Sequence, residues 1–161
     1  MVLIKQDGFF DDVAAQFAAG DPHVADKAVE NEHVRCVQLM YHAIARGAFA
    51  EMLQLTTDDF TLEIVGPEMS KLVGCWRGRA AVLSAVERNF SYFAEQEPHV
   101  ETVVAQGDTV IVIAREAGKL VATGRPYHTR WVQIFTFEND RVAKVRQIFD
   151  GVEKFGAAEM P

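Results

Sequence analysis

The stretch "AQGDTVIVIAREAGKLVATGRPYHTRWVQIFTFENDRVAKVRQIFD", Ala105 to Asp150, decides the fold. Apolar residues recur there at every second position, the period of a half-buried strand. With the residues just before it, the region divides into four strands: "HVETVVAQ", "DTVIVIAREA", "KLVATGRPYHTRWVQIFTFE" and "RVAKVRQIFD". Turn residues separate them at Gly107-Asp108, Gly118 and Asn139-Asp140. Connections this short predict antiparallel hairpins. The third run is long, and Gly124 with Pro126 predicts a bend inside it.

Upstream of this region the period is helical. Val34, Val37, Tyr41 and Ile44 form one stripe that Gly47 ends, and "FAEMLQLT" reads as a second, shorter helix. "DDFTLEIVGP" alternates as a strand until Gly66-Pro67 breaks it. "GRAAVLSAVERNFSYF" is a third helix with Val82, Val86, Phe90 and Phe93 on one side. Asn31 reads as an N-cap, which sets a main domain at 31–161 and a helical N-terminal extension at 1–30. In that extension Phe9, Phe10, Val13 and Phe17 lie near one helical face, and a short helix "GVEKFGAA" is expected to close the chain. The order of elements predicts an α+β fold: a curved antiparallel sheet wrapped around a long helix, with helices on one face. Such a sheet leaves a cone-shaped apolar cavity suited to a small ligand.

Composition narrows the function. At 161 residues with 49% hydrophobic residues, one domain with an ample core is expected. A net charge of -7 argues against nucleic acid, which demands a basic face, and against docking on anionic lipid. Neither Cys36 nor Cys75 belongs to a CxxC pair, and Cys36 reads as a buried free thiol. The start "MVLIKQDGFF" lacks the pattern of a signal peptide, and no stretch is apolar enough to span a membrane, so a cytoplasmic protein is expected. No Gly-rich phosphate loop, HExxH or GxSxG occurs, and His33 with Cys36 lacks further ligands for a metal. No cofactor is expected.

The order and spacing of "TTDDFTLEIVGP", "GCWRGRAAV" and the Ala105–Asp150 stretch resemble the SnoaL-like, ketosteroid-isomerase-related proteins of the nuclear-transport-factor-2-like superfamily. The resemblance implies the cystatin-like cone, a deep apolar pocket and a homodimer formed through the sheet. Its relatives include isomerases, polyketide cyclases, epoxide hydrolases, dehydratases and pure binding modules, so it leaves the activity open.

Carried over position by position, the resemblance gives a mixed result. Ile64 stands where ketosteroid isomerases keep a general-base aspartate, and an isoleucine takes no proton. Tyr41 falls near their oxyanion-hole tyrosine, and Gln133 matches the protonated acid beside it. Gln147 stands where limonene-epoxide-hydrolase-like and phenazine-biosynthesis relatives carry a catalytic acid. The Arg-x-Asp of epoxide hydrolases has only the adjacent pair Arg115 and Glu116, which as neighbours on a strand face opposite ways.

Strand alternation groups Thr129, Trp131, Gln133, Phe135 and Phe137 on one face, and Ala143, Val145, Gln147 and Phe149 on the same face of the last strand. The expected ligand-binding residues are Tyr41, Trp131, Gln133, Phe135, Gln147 and Phe149, around a small, largely apolar organic molecule. If the chain is an isomerase, cyclase or dehydratase, its base must be His128, Asp150 or another acid entering the pocket. Each has a plainer reading. Asp150 with Glu153 fits a capping box for the last helix, and His128 fits a solvent-facing strand position. Tyr41 and Trp131 fit core packing, and the two glutamines fit a bond to each other across neighbouring strands. The rival to the enzyme is a non-catalytic small-ligand-binding or accessory protein that keeps the pocket without the base. A third, weaker reading has the cone as a dimerisation module.

Overall fold

The computed structural model of the chain describes residues 3–4, 27–67 and 70–150. In chain order the elements are β1 Leu3–Ile4, α1 Lys27–Ala45, α2 Phe49–Gln54, β2 Thr56–Val65, β3 Gly74–Arg77, α3 Arg79–Phe90, β4 Phe93–Gln106, β5 Thr109–Leu120, β6 Pro126–Glu138 and β7 Arg141–Phe149. The strands form one mixed sheet in the order β1-β4-β5-β6-β7-β2-β3. Its pairings are antiparallel except β1 with β4 and β2 with β7. The α+β cone expected from the sequence is the fold observed. Among the described residues, no helix is long and apolar enough to cross a membrane.

Helix α1 starts at Lys27, so Asn31 is an exposed residue inside it and not its N-cap. The buried face continues upstream through two polar residues, His33 and Glu30. Both are held by Gly107 in the β4–β5 turn: its N–H donates to Glu30 Oε1 at 2.9 Å, and His33 Nδ1 donates to its carbonyl at 3.0 Å. The His33 ring stacks on Phe137 with centroids 4.0 Å apart. The C-terminus of α1 is a Schellman motif. Gly47, at φ 69°, donates to the Ile44 carbonyl and Ala48 donates to that of Ala43.

One strand is added to those expected, and two strand expectations change. "GCWR" forms β3, a short antiparallel strand on β2. The β5–β6 turn lies at 121–125 and not at Gly118, because Lys119 and Leu120 still pair within the sheet. Gly118 is instead a strand residue over which the Tyr127 ring lies, a contact with no room for a Cβ. In β7 a register shift between Thr136 and Phe137 of the β6 pairing turns Val142 inward, the place alternation assigns to Ala143. The Asn139-Asp140 hairpin is as expected, with both residues at positive φ. The extension helix and the closing helix "GVEKFGAA" lie outside the described residues.

Candidate functional site

The concave side of the sheet, closed by α1, α2 and α3, encloses a cavity of about 200 Å³. Most of its wall is apolar: Met40 and Ile44 from α1, Val82 and Val86 from α3, and Phe60, Leu62 and Ile64 from β2 among others. All six residues expected to bind a ligand line it: Tyr41, Trp131, Gln133, Phe135, Gln147 and Phe149.

At one end three of these side chains form a relay. The Tyr41 hydroxyl donates to Gln133 Oε1 at 2.5 Å, and Gln133 Nε2 donates to Gln147 Oε1 at 2.8 Å. The two glutamines are direct cross-strand partners on β6 and β7, so the strand register itself sets up the contact. Burial raises the Tyr41 pKa well above its ordinary value, which keeps the hydroxyl a donor. The relay ends on amide N–H groups, which suit a carbonyl or a developing oxyanion.

A second polar group lies two inward-facing steps along the sheet. Val112 pairs with Gln133 and Glu116 pairs with Thr129, a separation of about 13 Å along the strands. Trp131 sits between the two levels. Glu116 lines the cavity and accepts hydrogen bonds from the Tyr127 hydroxyl and from Gln96 Nε2, the latter at 3.1 Å. Burial nevertheless raises the Glu116 pKa above the ordinary carboxyl range, the Tyr127 and Gln96 donors opposing the shift without cancelling it. Tyr127 is pushed upward as well, first by burial and then by the Glu116 charge.

A SnoaL-like domain model matches residues 37–145. The chain belongs to the SnoaL-like family. No curated protein sequence matches it. Its fold is similar to that of an NTF2-like protein from Burkholderia xenovorans LB400, 27% identical, with a TM-score of 0.65 and with 75% of this chain and 91% of that one covered. A protein from Jannaschia sp. CCS1 assigned as a SnoaL-like polyketide cyclase is 19% identical at a TM-score of 0.68, covering 77% and 89% of the two chains. A protein from Rhodopseudomonas palustris assigned as an isomerase is 22% identical at a TM-score of 0.61, covering 73% and 88%. At those last two identities the likeness shows the fold alone.

The structure does not bring the two expected catalytic residues of this SnoaL-like chain into the cavity. His128 pairs with Ala117 and is exposed on the outer face, because β6 runs unbroken from Pro126 and its inward residues are Tyr127 and Thr129. Asp150 is exposed beyond the end of β7. Its Oδ1 accepts the Arg130 N–H at 2.7 Å and its own N–H donates to the Arg130 carbonyl, so it extends the pairing at the rim. The helix it was expected to cap lies outside the described residues. The cavity acid is instead Glu116, with Gln96 and Tyr127 around it. Its outward neighbour Arg115 lies 3.6 Å from Glu101, so the two side chains do face opposite ways. Among the described residues no cluster of His, Cys, Asp and Glu is placed to hold a metal ion.

Proposed function

We propose that the protein is an enzyme of isomerase, cyclase or dehydratase type acting on a small, largely apolar organic molecule, with Glu116 moving the proton. The observation that carries this reading is the Glu116 carboxyl on an otherwise apolar cavity wall. A general acid or base works best when its pKa lies near the working pH, and burial moves a carboxyl in that direction. The amide N–H groups of Gln133 and Gln147 hold a carbonyl of the substrate at the far end. Ile64 and Gln147 occupy the acid positions of related enzymes, so the base has moved to another strand of the same cavity rather than vanished.

The test is a screen of small aryl and alkyl enones and hydroxy ketones for binding and conversion. The expected result is at least one compound that wild type converts and that Glu116→Gln binds with similar affinity but does not convert. If several compounds bind and wild type converts none, the alternative stands, a ligand-binding or accessory protein.

The partner reading is a second copy of the chain. Ile113, Val132, Ile148 and Val65 are successive cross-strand partners on β5, β6, β7 and β2, and form an apolar row on the outer face of the sheet. Ile113, Ile148 and Val65 are 37%, 41% and 36% exposed, which suits a homodimer contact through the sheet.

A further inference from the structure

We propose that Asn89 is a ligand-binding residue whose Nδ2 donates a hydrogen bond to an acceptor oxygen of the bound molecule at the Glu116 end of the cavity. This rests on the cavity being the binding site and deepens that reading with a chemical class: a neutral compound with a carbonyl at each end of an apolar body.

Asn89 is 7% exposed and lines the cavity from α3. Between residues 82 and 93 the other cavity residues are Val82, Val86, Phe90 and Phe93, so an amide stands in an otherwise apolar stripe. Burying it there costs stability unless its polar atoms are matched. Oδ1 is matched, because Arg88 donates to it from Nη2 at 3.1 Å and from Nε at 3.4 Å. The guanidinium is itself held over the Trp76 ring, 5.3 Å from its centroid. A cation on Oδ1 fixes the amide orientation, since the reverse would set N–H against N–H.

Nδ2 is left without a partner. Among the described residues that are not exposed, the unpartnered side-chain polar atoms closed to solvent are Glu30 Oε2 and Gln96 Oε1. Asn89 Nδ2 is unpartnered and open, on a residue that faces the cavity. A donor in that state on a cavity wall marks where a ligand acceptor belongs.

The chain path gives its place. Helix α3 begins where Arg79 donates to Thr56, a residue that pairs with Val142 near the β6–β7 hairpin. It ends with the Asn89 carbonyl accepting the Tyr92 N–H in the turn into β4. The next residue, Phe93, lies against Tyr127 with ring centroids 5.0 Å apart, and the Tyr127 hydroxyl donates to Glu116. Asn89 is therefore at the Glu116 end, on the helical side of the cavity.

The same geometry selects the acceptor. Arg88 polarises the amide through Oδ1 and strengthens the Nδ2–H donor, which favours an electron-rich oxygen such as a carbonyl. The apolar wall and the Glu116 carboxyl beside it disfavour an anion. A ligand donor gains nothing from this amide, since Oδ1 already takes two N–H groups. With the amide donors of Gln133 and Gln147 at the other end, the cavity reads two C=O groups separated by an apolar body.

The test compares 4-acetylbenzylideneacetone with 4-isopropylbenzylideneacetone, which has nearly the same shape and one carbonyl fewer. Naphthalene serves as a purely apolar probe, and binding is read by tryptophan fluorescence, since Trp131 lines the cavity. In Asn89→Leu the preference for the acetyl over the isopropyl compound should fall at least about fivefold relative to wild type, because the acetyl carbonyl has lost its donor, while naphthalene binding holds. Asn89→Asp keeps an oxygen for Arg88 and sets another where the N–H stood, so it should lose the preference too. An unchanged preference in either variant overturns the proposal. If naphthalene binds and neither ketone does, the Asn89 subsite falls and the apolar pocket stands. If naphthalene does not bind either, the pocket reading falls and takes the subsite with it. Should the variants fail to fold, a crystal structure of wild type with the acetyl compound decides. A carbonyl oxygen within about 3.2 Å of Asn89 Nδ2 is expected, and both carbonyls lying elsewhere overturn the proposal.

Discussion

Tyr127 and Glu116 are diagonal neighbours on the inner face of the sheet, and the tyrosine hydroxyl donates to the acid across two strands. Tyr127 pairs with Gly118, two residues beyond Glu116, so its ring lies over the glycine and its hydroxyl reaches back along β5. One flat residue and one absent side chain thus hold a carboxyl inside an apolar cavity. Three of the residues involved, Glu116, Tyr127 and Gln96, are inconspicuous in the sequence. Together they form one polar end of the cavity.

The proton on Glu116 gives the first prediction. The carboxyl's native pKa is raised above its ordinary 4.5, mainly by burial. Over the interval between the two values the folded chain holds a proton that the unfolded chain has lost. The contribution of Glu116 to stability is therefore complete below pH 4.5 and is lost as pH rises through the raised native value. Glu116→Gln keeps the shape and removes this dependence. Thermal melts from about pH 4 to about pH 8 should show the variant gaining on wild type as pH rises. A difference in Tm that stays constant with pH would contradict the raised pKa.

Gly118→Ala tests the support beneath that acid. A Cβ there would come within 2.1 Å of the Glu95 carbonyl and 2.7 Å of the Tyr127 ring. The carbonyl belongs to the β4 backbone and cannot yield without disturbing the β4–β5 pairing. The expected cost is about 1–3 kcal/mol, the range for overpacking a filled site, seen as a lower urea midpoint. The tyrosine should also lose its fixed environment, visible in the near-ultraviolet dichroism. A variant as stable as wild type with an unchanged spectrum would show that the ring does not rest on the glycine.

How far the site could be read depended on how local its cause was. Gln133 and Gln147 were legible because β6 and β7 each alternate clearly around them, while their direct pairing depends on the register shift between Thr136 and Phe137, which the sequence does not announce. Glu116 was not. The run "VIVIA" is apolar on both faces, so alternation gives no inward side. A turn at Gly118 also leaves the acid beside a hairpin end, whereas the true turn at 121–125 sets it opposite Thr129. His128 fell outside for the same reason, since an unbroken β6 fixes the parity of Tyr127 and Thr129. The start of α1 was hidden differently. Glu30 and His33 look solvent-facing by type, and partners more than 70 residues away, Gly107 for both and Phe137 for His33, explain their burial.

The apolar row on the outer face yields a prediction about assembly. Ile148 lies within it, flanked by Val132 and Val65 on neighbouring strands. Ile148→Lys should leave the monomer fold intact, because the side chain faces away from the cavity and is 41% exposed. It should dissociate a dimer that wild type forms, read as a halved mass by light scattering. A wild-type chain that is monomeric at tens of micromolar would remove the dimer proposal.

Tyr41→Phe probes the far end of the cavity. The Tyr41 hydroxyl is the donor that occupies Gln133 Oε1, and that amide in turn donates to Gln147. Because burial holds the Tyr41 pKa far above neutrality, the hydroxyl serves as a donor at any pH where the protein is folded, and the effect of removing it should not vary with pH. The phenylalanine fills the same space among Trp131 and Phe135 but leaves a buried carbonyl oxygen without its partner. The expected loss is about 1–3 kcal/mol of stability, the penalty for an unsatisfied buried acceptor. Gln133 can recover part of this by rotating its amide so that the oxygen meets a donor on Gln147, which breaks the relay's direction. A carbonyl-bearing ligand would then meet an amide oxygen in place of an N–H. Affinity for benzylideneacetone should fall while affinity for naphthalene holds, and a parallel loss for both would mean that Tyr41 acts only through packing.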